Sequence, residues 1–136
     1  MIDVALLGAG RIGRIHAGNL VRQPGVRLVA VADVNADAAR ALATQHGARV
    51  MDADAVFADR TIGAVAIGSS TDTHADFIVR AATAGKAIFC EKPVDLDLGR
   101  ARACADAVKQ AGVTCMIGFQ RRFDPTFAAV KARLDA

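Results

Sequence analysis

Val4-Ala5-Leu6-Leu7-Gly8-Ala9-Gly10-Arg11-Ile12-Gly13 decides how the chain is read. A short apolar run stops at a glycine, a G-x-G-x-x-G pattern follows, and a helical segment begins within a few residues. The first glycine of such a turn permits the tight reversal. The second lets the backbone approach a pyrophosphate, and the third lets the helix pack against the strand. The new helix presents free N–H groups and the positive end of its dipole to an anion. The alternative, glycines serving turn geometry alone, lacks a reason for the acid that follows. Asp33 closes the next apolar run, Val26–Ala32, about 20 residues past Gly13. A carboxylate there accepts hydrogen bonds from both hydroxyls of an adenosine ribose and repels a 2′-phosphate, so it favours NAD over NADP. Val34 and Asn35 offer no positive charge, and Arg40 lies further along the helix. Asp33 also precedes a helix by a few residues, so an N-cap is its second reading.

Outward from this stretch, apolar runs alternate with Ala-rich helical segments. Strands are expected at Val4–Leu7, Val26–Ala32, near Val50, at Ala64–Ile67, Ala87–Cys90 and Thr114–Ile117. Helices are expected at 14–22, 36–46, near 54–58, at 73–84 and 97–111, with a last one opening at Asp124-Pro125. Gly47, Gly85 and Gly112 are stop signals. Continuous apolar strands separated by helices imply a parallel sheet covered on both faces, in a doubly wound α/β fold of about six strands. Residues 1–136 read as one dinucleotide-binding domain.

Composition narrows the function. The chain is 53% hydrophobic and 23% charged, which excludes a disordered segment. Seventeen Lys and Arg against 14 Asp and Glu leave +3, and the basic residues are scattered. With no Trp or Tyr to stack on bases, nucleic acid is a poor partner. No apolar run reaches the ~20 residues of a membrane span. The three cysteines, Cys90, Cys104 and Cys115, lack metal-ligand spacing, and no basic leader opens the chain. Reduced thiols and a cytoplasmic location are expected.

Two further motifs fall at strand carboxyl ends, where such sheets bind ligands. Gly68-Ser69-Ser70-Thr71-Asp72-Thr73-His74 offers hydroxyls for ribose or phosphate, or caps the next helix through Asp72 or Thr73 with His74 in its first turn. Glu91-Lys92-Pro93 offers a lysine that a partly desolvated crevice would suit to proton transfer, with Glu91 to hold its charge and to bond a ribose. A surface Glu–Lys pair is the alternative. Pro93 marks either a strand stop or a cis turn.

Gly8–Gly13, Val31-Ala32-Asp33-Val34-Asn35, Cys90-Glu91-Lys92-Pro93 and Gly118-Phe119-Gln120-Arg121-Arg122-Phe123-Asp124 occur in that order. Together they resemble the N-terminal Rossmann domain of the glucose–fructose oxidoreductase / inositol dehydrogenase (Gfo/Idh/MocA) family. The last motif is most similar to inositol 2-dehydrogenases. The resemblance implies reversible hydride transfer between NAD and a secondary hydroxyl of a sugar or cyclitol, myo-inositol favoured. It implies that Gly8, Gly10, Arg11, Ile12 and Gly13 hold the cofactor, with Ile12 near the nicotinamide and Asp33 on the adenosine ribose. Ser69, Thr71 and His74 would line the cofactor channel, and Glu91 would contact the cofactor. Lys92 would be catalytic, aimed by a cis Lys92–Pro93 peptide, and Arg121 would face substrate. A solvated Arg121–Arg122 pair is the bland alternative. Family members run to more than twice this length, with an acid–base pair and most of the substrate pocket in a second α/β domain. The chain is therefore expected to be a fragment or excised domain, inactive alone, of a protein that is a homo-oligomer. A stand-alone NAD/NADH-sensing module is the competing reading, and it has no evident use for a crevice lysine. Phe127, Val130 and Leu134 form a helical stripe expected to pack on this domain or on a partner domain; left exposed, it favours self-association.

Overall fold

The computed structural model describes residues 1–136. Six parallel strands are laid out in the order β3-β2-β1-β4-β5-β6. They are β1 (Ile2–Leu7), β2 (Val26–Ala32), β3 (Arg49–Val50), β4 (Ala64–Ile67), β5 (Ala87–Cys90) and β6 (Cys115–Ile117). The strand order reverses between β1 and β4, which opens a crevice at their carboxyl ends.

Alternation along the strands sorts the core into two layers. Val4, Leu6, Leu28 and Val31 face Ala17 of α1 (Arg11–Leu20) and Ala39, Leu42 and Ala43 of α2 (Ala36–His46). Ala5, Leu7, Val65, Ile67 and Ile88 face the other layer. That layer holds Val56 of α3 (Ala53–Ala58), Ala75 and Ile78 of α4 (Thr71–Thr83) and Cys104 of α5 (Leu98–Ala111). A register shift between Val4 and Ala5 skips Val29, which is why Leu28 and Val31 share a face three residues apart. No helix is long and apolar enough to cross a membrane.

Helix boundaries differ from the sequence reading in informative places. α1 begins at Arg11, inside the glycine motif, because Gly10 is itself the N-cap. α4 begins at Thr71 with Ser70 as N-cap, so neither Asp72 nor Thr73 caps it. A 3-10 turn, Gln120–Phe123, precedes α6 (Pro125–Leu134); no apolar periodicity announces a single turn of this kind. Asp124 caps α6 through Oδ1, which accepts from the Thr126 and Phe127 amides. α6 buries no residue, and Phe127 and Leu134 are 49% and 82% exposed. The expected stripe therefore does not pack on this domain.

Polar ties hold the layers in place. Asp3 accepts two hydrogen bonds from Arg27, at 2.7 and 2.6 Å, and this pairing lowers its pKa. Arg100 donates to Asp95 at 2.8 Å and to Asp76 at 3.0 Å, and the first contact lowers the pKa of Asp95. Buried Lys86 donates Nζ to the carbonyls of Asp59 and Ile62, at 2.7 and 2.9 Å, and desolvation lowers its pKa. No local sequence pattern marks this lysine.

The turn from β1 to α1 is the tightest point. Gly8 has φ +110°, and a Cβ there would lie 2.5 Å from the Gly68 oxygen. A Cβ on Gly13 would overlap the Gly8 carbonyl oxygen, whereas one on Gly10 meets nothing within 4 Å. Gly13→Ala is expected to cost about 3 kcal/mol in denaturant unfolding and Gly10→Ala about 1 kcal/mol or less. Equal costs would remove the packing role of Gly13. Acid should destabilise the fold in a defined direction. The lowered carboxyls of Asp3 and Asp95 contribute stability that is present above their unfolded pKa, about 4. That stability is lost as pH falls through their lower folded values. Asp95→Asn should lower the thermal midpoint at pH 7 and shrink its drop between pH 5 and 2; an unchanged drop would exclude Asp95 from the acid transition.

Candidate cofactor crevice and reactive turn

Asp33 and the glycine loop form one unit. The Gly8 amide donates to the Ala32 carbonyl at 2.8 Å, continuing the β1–β2 ladder. Asp33 Oδ2 accepts from the Ala9 amide at 2.6 Å and Oδ1 accepts from the Asn35 amide at 2.8 Å. The N-cap of α2 is Asn35, whose Oδ1 accepts from Ala38 at 3.0 Å, so the capping reading of Asp33 gives way. Each carboxylate oxygen keeps a second acceptor site. Asp33 lines a cavity of about 400 Å³ with Gly8, Val34, Ser69, Ser70 and Thr73. The guanidinium of Arg40 is held by Asp37 at 2.8 Å.

The start of α1 has no side-chain cap and no acid in its first turn. With the space open beside Gly10, this is a cradle of backbone N–H groups that fits a pyrophosphate. Arg11 stands exposed at that turn. Ile12 is half-buried, and its Cγ2 would lie 3.4 Å from a Cβ on Gly68, so Ile12 spans the gap between the β1 and β4 loops.

The loop after β4 is hydrogen-bonded within itself. Thr73 Oγ1 donates to the Ser70 carbonyl at 2.7 Å, so the 2.6 Å contact between the hydroxyls of Ser69 and Thr73 has Ser69 as donor. Ser69 Oγ keeps its acceptor capacity. Thr71 is half-buried at the first position of α4. His74 is 1% exposed. Its Nδ1 lies 2.7 Å from the Pro93 carbonyl oxygen and its Nε2 lies 3.2 Å from that of Ser69. The ring is therefore enclosed between the loops that follow β4 and β5.

Beyond β5 the chain turns at Glu91-Lys92-Pro93, with the Lys92–Pro93 peptide cis. The Glu91 amide donates to Ile67 at 2.9 Å, which fixes the turn beside β4. Glu91 Oε1 is paired with His16 Nε2 at 2.8 Å, and Oε2 accepts from the Lys92 amide at 3.3 Å. The carboxylate thus does not hold the lysine's charge, as the sequence reading expected, and the surface-pair alternative fails with it. Lys92 is exposed. A Cβ on Gly118 would approach Glu91 Oε1 and Phe89 Cζ to 3.2 Å, so that glycine makes room for the carboxylate.

Sequence reasoning missed His16. Its position three residues after Gly13 puts both on one face of α1, and that spacing was the available signal. Arg121 lies on the 3-10 turn after β6, the strand next to β5. Its guanidinium covers the Phe127 ring at 4.7 Å and reaches Asp124 at 3.4 Å. All three cysteines are free thiols. Burial pushes Cys90 up to about 12 and raises Cys104 and Cys115, so none is a ready nucleophile.

Comparison with known proteins agrees with this arrangement. Residues 2–119 match the family model described as an oxidoreductase family with an NAD-binding Rossmann fold. An inositol 2-dehydrogenase of Rhizobium meliloti is 53% identical over 98% of this chain and 41% of its own length. A scyllo-inositol 2-dehydrogenase (NAD(+)) of Bacillus subtilis is 45% identical over 99% of this chain and 40% of its own. The crystal structure of scyllo-inositol dehydrogenase from Lactobacillus casei, with bound NAD(H) and scyllo-inositol, superposes with a TM-score of 0.92. It is 29% identical over 99% of this chain and 41% of that one. The chain therefore spans about two-fifths of the length of these relatives and belongs to the Gfo/Idh/MocA oxidoreductase family, as its NAD-binding Rossmann domain.

Proposed function

We propose that this domain is the cofactor-binding part of an NAD-dependent dehydrogenase acting on a secondary hydroxyl of a cyclitol or sugar, with myo-inositol the first candidate. The observation that carries the proposal is the placement of Asp33 and Lys92 along one crevice. Asp33 follows β2 and Lys92 follows β5, three strand intervals away, or about 14 Å at the usual spacing. That span suits the two halves of a dinucleotide lying across the switch point.

In this reading Asp33 accepts hydrogen bonds from the adenosine ribose, and the start of α1, with Gly8, Gly10, Arg11 and Gly13, receives the pyrophosphate. Ile12 and Glu91 bound the nicotinamide side, Ser69 and Thr71 line the channel, and the buried His74 backs that wall. NAD, when bound, supplies the hydride acceptor. Lys92 takes the proton from the substrate hydroxyl, and Arg121 orients the polyol. Lys92 is exposed on this domain, so the desolvation that suits a lysine to proton transfer has to come from substrate and from whatever closes over the crevice. That is the physical reason to propose that these 136 residues bind NAD without turning over a polyol. In the longer protein, a homo-oligomer in this reading, the remaining length would close the site. A sensing module would need the glycine loop and Asp33 but would have no use for Lys92 or for the residues that hold its turn.

Asp33→Asn and Asp33→Ala test the cofactor assignment by titration calorimetry. Both should weaken NAD binding about tenfold, the loss of one or two charge-assisted hydrogen bonds. Both should also narrow the preference over NADP. An unchanged NAD-to-NADP ratio would remove Asp33 from that role.

A further inference from the structure

We infer that His16 and His74 are positioning residues that clamp the Glu91-Lys92-Pro93 turn from its two sides, one imidazole coming from each of the helices α1 and α4. The inference rests on the reading of the turn as the nicotinamide side of the crevice.

The two contacts are chemically distinct. On one side, a carboxylate only accepts, so His16 Nε2 carries the proton that it gives to Glu91 Oε1 at 2.8 Å. The imidazole packs edge-on against Phe89, centroid to centroid 4.9 Å, and the two side chains of the pair are 17% and 16% exposed. The ring is thereby fixed at two points, and Glu91 Oε2 accepts from the Lys92 amide. On the other side, a carbonyl only accepts, so His74 Nδ1 donates to the Pro93 oxygen at 2.7 Å. The turn that carries Lys92 is thus tied through a side chain ahead of the lysine and through the backbone behind it. The ties run to different helices. α1 begins at the pyrophosphate cradle, and α4 begins beside the Ser69 and Thr73 hydroxyls. The turn is thus held in place by both helices, and the clamp positions it without touching the groups that would hold the adenosine diphosphate half.

The test uses this chain and two probes. NADH reaches both halves of the crevice; ADP lacks the nicotinamide riboside. His16→Leu should weaken NADH binding about tenfold in a fluorescence titration, the loss of one charge-assisted hydrogen bond. ADP affinity, read by competition, should stay within about twofold, because Asp33 and the glycine loop are untouched. His16→Gln, whose amide nitrogen can stand in for Nε2, should recover most of the loss. His74→Asn, whose amide can stand in for Nδ1, should bind NADH better than His74→Leu. The burial of His74 makes folding of its leucine variant uncertain, so the His16 pair carries the test. NADH binding unchanged in His16→Leu overturns the clamp and leaves the proposed function standing. A parallel loss of ADP and NADH, or no rescue by His16→Gln, also overturns it, since a general packing defect would then account for the loss. Failure of the unsubstituted chain to bind NADH overturns the proposed function and the clamp together.

Discussion

Everything in the crevice depends on how closely α1 starts against the end of β1. Gly13 lies so near the Gly8 carbonyl that no side chain fits between them, and Gly8 in turn leaves no room against Gly68 and Ser69. These contacts draw three backbone segments together at the point where the strand order reverses. The first amides of α1 have no side-chain cap and no acid beside them, which leaves them free for an anion. A bulkier turn would move the helix start away and leave Asp33 without its amide partner at Ala9.

The chemistry is spread along a line at the carboxyl ends of the strands. Asp33 follows β2, the glycine loop follows β1, the Ser69–Thr73 hydroxyls follow β4, the Glu91–Lys92 turn follows β5 and Arg121 follows β6. Each group is held by neighbours within the domain, but the far end is open to solvent. There Lys92 and Arg121 are solvated, α6 is unburied, and Phe123 is 70% exposed. The Asp33 end is a formed cavity, whereas the Lys92 end is an open surface. This asymmetry agrees with a chain that covers about two-fifths of its relatives' length.

Local patterns were readable in the sequence, and long-range partners were not. The glycine motif, Asp33, the strand runs and the Pro125 helix start are set by nearest-neighbour geometry and hydrophobic period, and they stand where the sequence put them, with helix ends moved by a few residues. Glu91 and His74 read differently once folded. Residue spacing suggested a Glu91–Lys92 pair, but His16, 75 residues away, takes the carboxylate. The family resemblance placed His74 along the channel, and no local pattern shows the burial that comes from Pro93 and Ser69 folding over its ring. Lys86 was unreadable for the same reason, since the two carbonyls that accept from it lie in a turn 24 and 27 residues earlier.

The central claim is that Asp33 and the α1 amides together make an NAD site that discriminates against a 2′-phosphate. Titration calorimetry of NAD and NADP on the unsubstituted chain tests it most directly. The account predicts saturable NAD binding at a micromolar Kd and NADP binding weaker by at least about tenfold. No heat with NAD, or equal affinity for the two nucleotides, would contradict it.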